Sequence, residues 1–334
     1  MPQADPIRIL SIGEAMVEMS RAPDPDLWRM GFAGDTLNTA WYLRRLLDDA
    51  WQVDYLTRVG TGDFSTRMVE FLRAEGLGTA HVSRQPDAEI GLYAISLTNG
   101  ERSFSYWRDT SAARRLADDP TLLHAALQGC AMAYLSGITL AILPPQGRIG
   151  LIQALDRARQ AGTTVVFDTN LRPRLWADVD TMRAVTQDAA GRADLVLPSF
   201  DDEAALFGDA DPQATLDRYL ALGAGQVVVK NGGGPIRFGG RDGAGHIDDL
   251  SVEPPVDSTA AGDSFNAGYL AARLTGGRLR RCHPGRARAW PTGDPPSGRL
   301  DPAGGSGRAA LTTAPRRSAR AGTRGRPGPG PRFG

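Results

Sequence analysis

The run Ala260-Ala261-Gly262-Asp263 sets small residues before an acid, and Phe265, Tyr269, Leu270 and Leu274 follow at helical spacing. Small residues let a backbone come close to a ligand. The first N–H groups of a helix have no internal partner, and the helix dipole there favours an anion. An acid beside such a turn can orient an attacking hydroxyl and accept its proton. The plain structural reading is a helix start with Asp263 near the cap. A second Gly-rich turn, Gly31-Phe32-Ala33-Gly34-Asp35-Thr36-Leu37-Asn38, enters a helical pattern that runs through Leu47. Asp35 and Asn38 could pair with hydroxyl groups, or Asp35 or Thr36 could simply cap the helix.

Charged side chains gather at three further places. Tyr106 and Arg108 share one face of a β-like run, and a guanidinium binds a carboxylate through two parallel hydrogen bonds. Asp168-Thr169-Asn170-Leu171-Arg172 follows the buried run Thr163–Phe167, at a strand's carboxyl end, where open α/β sheets bind ligands. Arg172 is thus a second partner for a carboxylate or phosphate. Pro198-Ser199-Phe200-Asp201-Asp202-Glu203 brings three acids to a helix start, which the dipole alone would explain. Lys230 precedes Gly232, Gly233 and Gly234, an order that excludes the phosphate loop in which Lys follows the glycines.

Strands and helices must position these groups. Ile7–Gly13, Val53–Val59, Cys130–Ser136, Thr163–Phe167, Ala193–Leu197 and Val227–Val229 read as buried strands. Helices are expected after Gly60-Thr61-Gly62-Asp63 and over Pro144–Ala161. Gly91–Leu97 and Arg102–Arg108 flank Asn99-Gly100, a hairpin signal. Glu14–Arg29, with Pro23 and Pro25, is expected to be less regular. Alternating strands and helices imply an α/β fold, a mostly parallel sheet with helices on both faces.

The full run Asp257-Ser258-Thr259-Ala260-Ala261-Gly262-Asp263-Ser264-Phe265 resembles the second signature of the ribokinase-like (PfkB) carbohydrate kinases. The resemblance covers about residues 7–277. It implies a three-layer sandwich with a mostly parallel central sheet and a small β-sheet lid built from parts of 14–32 and 91–108. It implies that Ala260, Ala261 and Gly262 form an anion hole and that Asp263 is the catalytic base. The Gly34 turn would hold the sugar through Asp35 and Asn38. Asn170, Lys230, Gly232, Gly233 and Gly262 would lie at ATP, with Mg2+ neutralising its charge. The Gly60-Thr61-Gly62-Asp63 turn is similar to another family segment. The family's Asn-x-x-Glu magnesium motif lacks its Asn here, so Asp202 and Glu203 carry that role over only weakly. Gly34–Asn38, Tyr106–Arg108 and Val196–Glu203 are most similar to members that act on 2-keto-3-deoxygluconate. That implies a sugar-acid substrate held also by Tyr93, Tyr106, Arg108 and Arg172, and phosphorylated at its 6-position.

Composition divides the chain. From Arg278 to Gly334 there are 13 Arg, no Lys and two acids, Asp294 and Asp301, so this segment carries +11 and the remainder −11. An acidic body argues against a specific nucleic-acid partner. The segment also holds 11 Gly and 9 Pro with no apolar period, a composition expected to be disordered. Codons exist for Cys282–Trp290 that, read one base later, spell the helix-forming Ala-Ile-Arg-Ala-Gly-His-Ala-Leu-Gly, so a frameshift is favoured over the alternative, a natural basic tail. Cys130 and Cys282 make no disulfide framework. Neither a signal pattern nor a membrane-length apolar run is present, and a cytoplasmic location is expected. A homo-oligomer is compatible with the sequence. The rival functions are phosphorylation of a neutral sugar, sugar or nucleotide binding without catalysis, and salt-dependent nucleic-acid association through the Arg-rich segment.

Overall fold

A computed structural model describes residues 6–22, 24, 26–98, 101–248 and 260–276. Asp257–Thr259, the Asn99-Gly100 turn and the Arg-rich segment lie outside the described residues. In chain order come β1 (Ile7–Ile12), β2 (Met16–Arg21), β3 (Trp28–Ala33), α1 (Asp35–Leu46), β4 (Trp51–Val59), α2 (Asp63–Ala74) and β5 (Val82–Arg84). Next are β6 (Leu92–Thr98), β7 (Glu101–Trp107), α3 (Pro120–Leu127), β8 (Cys130–Ser136), α4 (Gly137–Ile142), α5 (Pro145–Gln160), β9 (Thr164–Asp168) and α6 (Val179–Arg192). Then follow β10 (Leu195–Val196), α7 (Phe200–Phe207), α8 (Pro212–Ala221), β11 (Gln226–Val229), β12 (Ile236–Gly240), β13 (Gly245–Ile247) and α9 (Ala261–Leu274).

The large sheet has the order β13-β12-β11-β10-β9-β8-β1-β4-β5. It is parallel from β5 to β11, and β12 and β13 add an antiparallel edge. Alternate side chains enter different cores. Leu10, Ile12, Leu135, Phe167 and Val229 pack with residues of α3, α5, α6 and α8. Ile9, Tyr55, Tyr134, Val166 and Val228 pack with residues of α1, α2 and α9. These are the three expected layers. The chain fills the sheet from β1 toward β5 and later from β8 toward β11, so the winding direction switches between β1 and β8. Such a switch opens a crevice at the strands' carboxyl ends.

A second sheet, β3-β2-β6-β7, has antiparallel outer pairs and a parallel β2–β6 centre. Half of Glu14–Arg29, expected to be less regular, is strand: it holds β2 and the first two residues of β3, within the span the family resemblance assigned to a small sheet. Four of the first five residues of β2 are buried, so no alternation marks it in the sequence. Gly31–Ala33, read as part of a turn, instead ends β3. Three residues, Gly13, Glu14 and Ala15, link β1 in the large sheet to β2 in the small one.

The Gly60–Asp63 turn differs chemically from the other two. Glu89 accepts from the Gly62 N–H at 2.7 Å and from Ser65 Oγ at 2.6 Å. A carboxylate of the chain itself thus occupies the start of α2. By contrast, among the described residues no side chain caps the start of α1 or α9.

Candidate active site

The uncapped start of α9 faces the uncapped start of α1, and these two helices pack together. Ala260 precedes α9 with φ 65°, a left-handed conformation that costs a non-Gly residue energy and clusters at functional sites. It exposes Ala261 and Gly262 and aims the first turn outward. Gly34 caps α1, and a Cβ there would run into the Glu14 carbonyl, so only glycine allows this approach.

Asn38 donates from Nδ2 to Asp263 Oδ2 at 2.8 Å, and Thr39 donates to the Asp263 carbonyl at 3.4 Å. Asp35 accepts from Asn170 Nδ2 at 2.7 Å. Asn170 has φ 31°, a second left-handed non-Gly residue. Burial is the main force pushing the Asp263 carboxyl up to about 8, and the negative charge of Asp35 adds to it. Asn38 and Lys230 work in the opposite sense. The Asp35 carboxyl is also raised, again chiefly by burial, against hydrogen bonds from Ser136, Thr36 and Asn170. Two neighbouring acids, both shifted up chiefly by burial, are the pattern of a proton-transfer site.

Beneath them lies a buried polar network. Lys230 Nζ donates to Asp168 Oδ1 at 3.0 Å and to Asn266 Oδ1 at 3.1 Å. Asn266 Nδ2 donates to Asp168 Oδ2 at 2.8 Å and to the Tyr134 hydroxyl at 3.0 Å. Tyr134 in turn accepts from Thr39 at 3.2 Å. The network ties α1, β8, β9, β11 and α9 into one platform. Lys230, expected at the nucleotide, is committed here, although its Nζ lies 3.9 Å from where a Gly262 Cβ would stand. Gly232 and Gly233 follow with φ 49° and 93°, conformations that need glycine.

The small sheet supplies the aromatic residues. Tyr93 pairs directly with Tyr106 across β6 and β7, with ring centroids 5.7 Å apart. Tyr93 is buried and donates its hydroxyl to Glu18, while Tyr106 is 52% exposed. Arg108, expected as a carboxylate receptor, is only 8% exposed and forms an ion pair with Glu14. Arg172 is half-exposed and pairs with Asp202 at 3.3 Å.

Asp202 and Glu203, weakly expected at a metal, diverge. Glu203 points inward, where it accepts from Thr169 at 2.7 Å, Arg218 at 2.8 Å and Tyr219 at 2.9 Å. Both of its oxygens are thus taken up inside the chain. Among the described residues no cluster of three or more His, Cys, Asp or Glu could hold a metal.

Glu14, Glu18, Tyr134 and Asn266 were not singled out from the sequence. Glu14 had a readable signal, because it follows the carboxyl end of the parallel strand β1. Among the described residues no helix is long and apolar enough to cross a membrane.

Known proteins share this arrangement of elements. The chain is 38% identical over 281 residues to a 2-dehydro-3-deoxygluconokinase of Haemophilus influenzae, covering 82% of this chain and 89% of that one. It is 40% identical over 278 residues to the protein of that name from Escherichia coli K12, covering 81% and 89%. A PfkB protein from Polaromonas sp. JS666 superposes with TM-score 0.72 at 28% identity, covering 85% of this chain and 94% of that one. A fructokinase with bound ATP from Xylella fastidiosa gives TM-score 0.70 at 25% identity, covering 80% and 81%. The model of the pfkB family of carbohydrate kinases matches residues 7–283, and the chain belongs to that family.

Proposed function

We propose that this carbohydrate kinase transfers the γ-phosphoryl group of ATP to the terminal hydroxyl of 2-dehydro-3-deoxygluconate. The observation that carries this reading is Asp263 in the uncapped first turn of α9, with its carboxyl raised to about 8 and held by Asn38. A carboxylate there is basic enough to take a hydroxyl proton near neutral pH. The relatives named 2-dehydro-3-deoxygluconokinase support the substrate.

The residues present fit a nucleotide. Ala261 and Gly262 are exposed, and among the described residues nothing takes up the first backbone donors of α9; Gly232 and Gly233 form a bare surface past β11. When bound there, ATP supplies the phosphoryl group. Asp263 accepts the proton of the attacking hydroxyl, and Asn38 fixes the carboxylate's orientation. The first N–H groups of α9 stabilise negative charge on the transferring oxygens. Lys230 holds a positive charge beneath Gly262. Asp35 and Asn38 meet sugar hydroxyls, and Tyr93 and Tyr106 line the small-sheet side. Arg108 and Arg172 supply positive charge toward the acid group. Asp202 and Glu203 form no ligand set for magnesium, so no step is assigned to a protein-held ion. Magnesium that arrives on nucleotide phosphates keeps several waters and needs few protein ligands.

The test is a competition assay. The full chain is given ATP, magnesium and equal amounts of 2-dehydro-3-deoxygluconate, fructose and ribose, and products are identified by phosphorus NMR. The expected product is the 6-phosphate of the sugar acid. Predominant phosphorylation of fructose or ribose would reject the substrate assignment.

A further inference from the structure

Arg108 and Glu14 form a buried ion pair at the junction of the two sheets. Glu14 sits between β1 and β2, and Arg108 directly follows β7. Arg108 Nη2 donates to Glu14 Oε2, and Ser111 Oγ donates to Glu14 Oε1. Both partners are more than nine-tenths buried. The Arg108 Nε is also buried, and among the described residues it has no hydrogen-bond partner. An orphan donor on a buried cation is costly unless a ligand completes it. The backbone carbonyl of the same Glu14 lies against Gly34, beside the Asp35 turn. Glu14 therefore touches the turn proposed to hold the sugar with its main chain and Arg108 with its side chain.

A buried guanidinium without a counter-ion would leave for solvent in the empty protein, because an unpaired buried charge is strongly unfavourable. A substrate carboxylate would then have to draw the side chain back and desolvate it again. Glu14 removes that cost by holding one edge of the guanidinium in place. Ser111 fixes the Glu14 carboxylate in turn.

Resting on the sugar-acid reading above, we propose that Glu14 is a positioning residue for acid selectivity: it clamps Arg108 through Nη2 and leaves the Nε hydrogen for the substrate carboxylate. Glu14 contacts no reacting atom. Its effect passes through Arg108, so it must distinguish an acid substrate from a neutral one. A residue that only braced the sheet junction would affect both alike.

The experiment measures binding of two ligands to the full-length chain by calorimetry. One ligand is 2-dehydro-3-deoxygluconate, and the other is its neutral analogue with a hydroxymethyl group in place of the carboxylate. Glu14→Gln keeps the side-chain shape and removes the charge. It is expected to weaken the acid about tenfold or more, the scale of one charged hydrogen bond, and the neutral analogue less than about threefold. Ser111→Ala, which loosens Glu14 without removing it, should shift the same ratio by a smaller factor and serves if Glu14→Gln does not fold. Glu14→Asp should restore part of the discrimination. Equal losses for both ligands in Glu14→Gln and Ser111→Ala would overturn the proposal while leaving the sugar-acid reading standing. Failure of the wild-type chain to prefer the acid would remove both.

Discussion

Asn38 and Asp263 lie 225 residues apart in the chain and meet through a 2.8 Å hydrogen bond between Nδ2 and Oδ2. The contact joins the first turns of α1 and α9, so the proposed sugar turn and the proposed base are set by one pair of packed helices. It also tunes the acid. A donor facing a carboxylate favours the ionised form and partly opposes the burial that raises the Asp263 carboxyl.

The pH dependence follows from that balance. The base must be ionised, and its carboxyl stands at about 8, so kcat/KM should rise about tenfold per pH unit below that point and level off above it. Asn38→Leu removes the donor and should move the rising limb to higher pH. The position of the limb in a pH-rate profile is the readout, since the substitution also alters sugar contact. A limb that stays in place would break the link between Asn38 and the base.

The same shift has a stability consequence with a definite sign. The folded-state value of Asp263 is raised above that of an unfolded Asp, about 3.9. Its favourable contribution is therefore complete below pH about 4 and is lost as pH rises through about 8. Asp263→Asn should raise Tm relative to wild type at alkaline pH and change it little in acid. Thermal unfolding at both pH values checks this. Equal changes at the two would mean that the carboxyl is not strained by burial.

Glu203 anchors the strand end that carries Asp168, Thr169 and Asn170. Its oxygens bind Thr169, Arg218 and Tyr219, and Arg218 also pairs with Asp209 at 2.6 Å. Glu203→Ala should cost about 3–5 kcal/mol of stability in urea denaturation, the scale for breaking a buried ion pair. If Glu203 instead serves as a metal ligand, stability will change little and the magnesium dependence of the rate will shift strongly.

Arg108 should matter twice. Arg108→Ala is expected to weaken binding of the sugar acid by about 1.5–3 kcal/mol, as for a hydrogen bond to a charged group. It should also lower stability, because Glu14 is left buried without its cation. Calorimetry and urea denaturation separate the two effects. Unchanged affinity for the acid, with stability alone reduced, would make the pair a purely internal brace.

Much of this was legible in local pattern. Continuous apolar runs marked β1, β4, β8, β9 and β11, and Asn99-Gly100 marked the β6–β7 pair. Small residues before Asp35 and Asp263 marked both helix starts. Local pattern did not mark β2 and β3, whose region only the family resemblance assigned to a small sheet: β2 is largely covered on both faces, which removes the alternating signal, and Pro23 and Pro25 stand between the two strands in sequence. Asp202 and Glu203 look alike as neighbours in sequence, but the helix turns one toward Arg172 and the other into the core. The commitments of Arg108 to Glu14 and of Lys230 to Asp168 and Asn266 span 94, 62 and 36 residues, and spacing alone does not encode such pairings.

The most direct measurement is a single-turnover phosphoryl-transfer assay on Asp263→Asn with saturating ATP and 2-dehydro-3-deoxygluconate. Asn keeps the shape of the side chain and the backbone turn, so binding of both ligands should stay near wild type. It cannot accept the proton, so the rate should fall by about 10²–10⁴, the range for a lost general base. A variant that keeps more than about a tenth of the wild-type rate would show that Asp263 only caps α9, and the assignment of the base would be wrong.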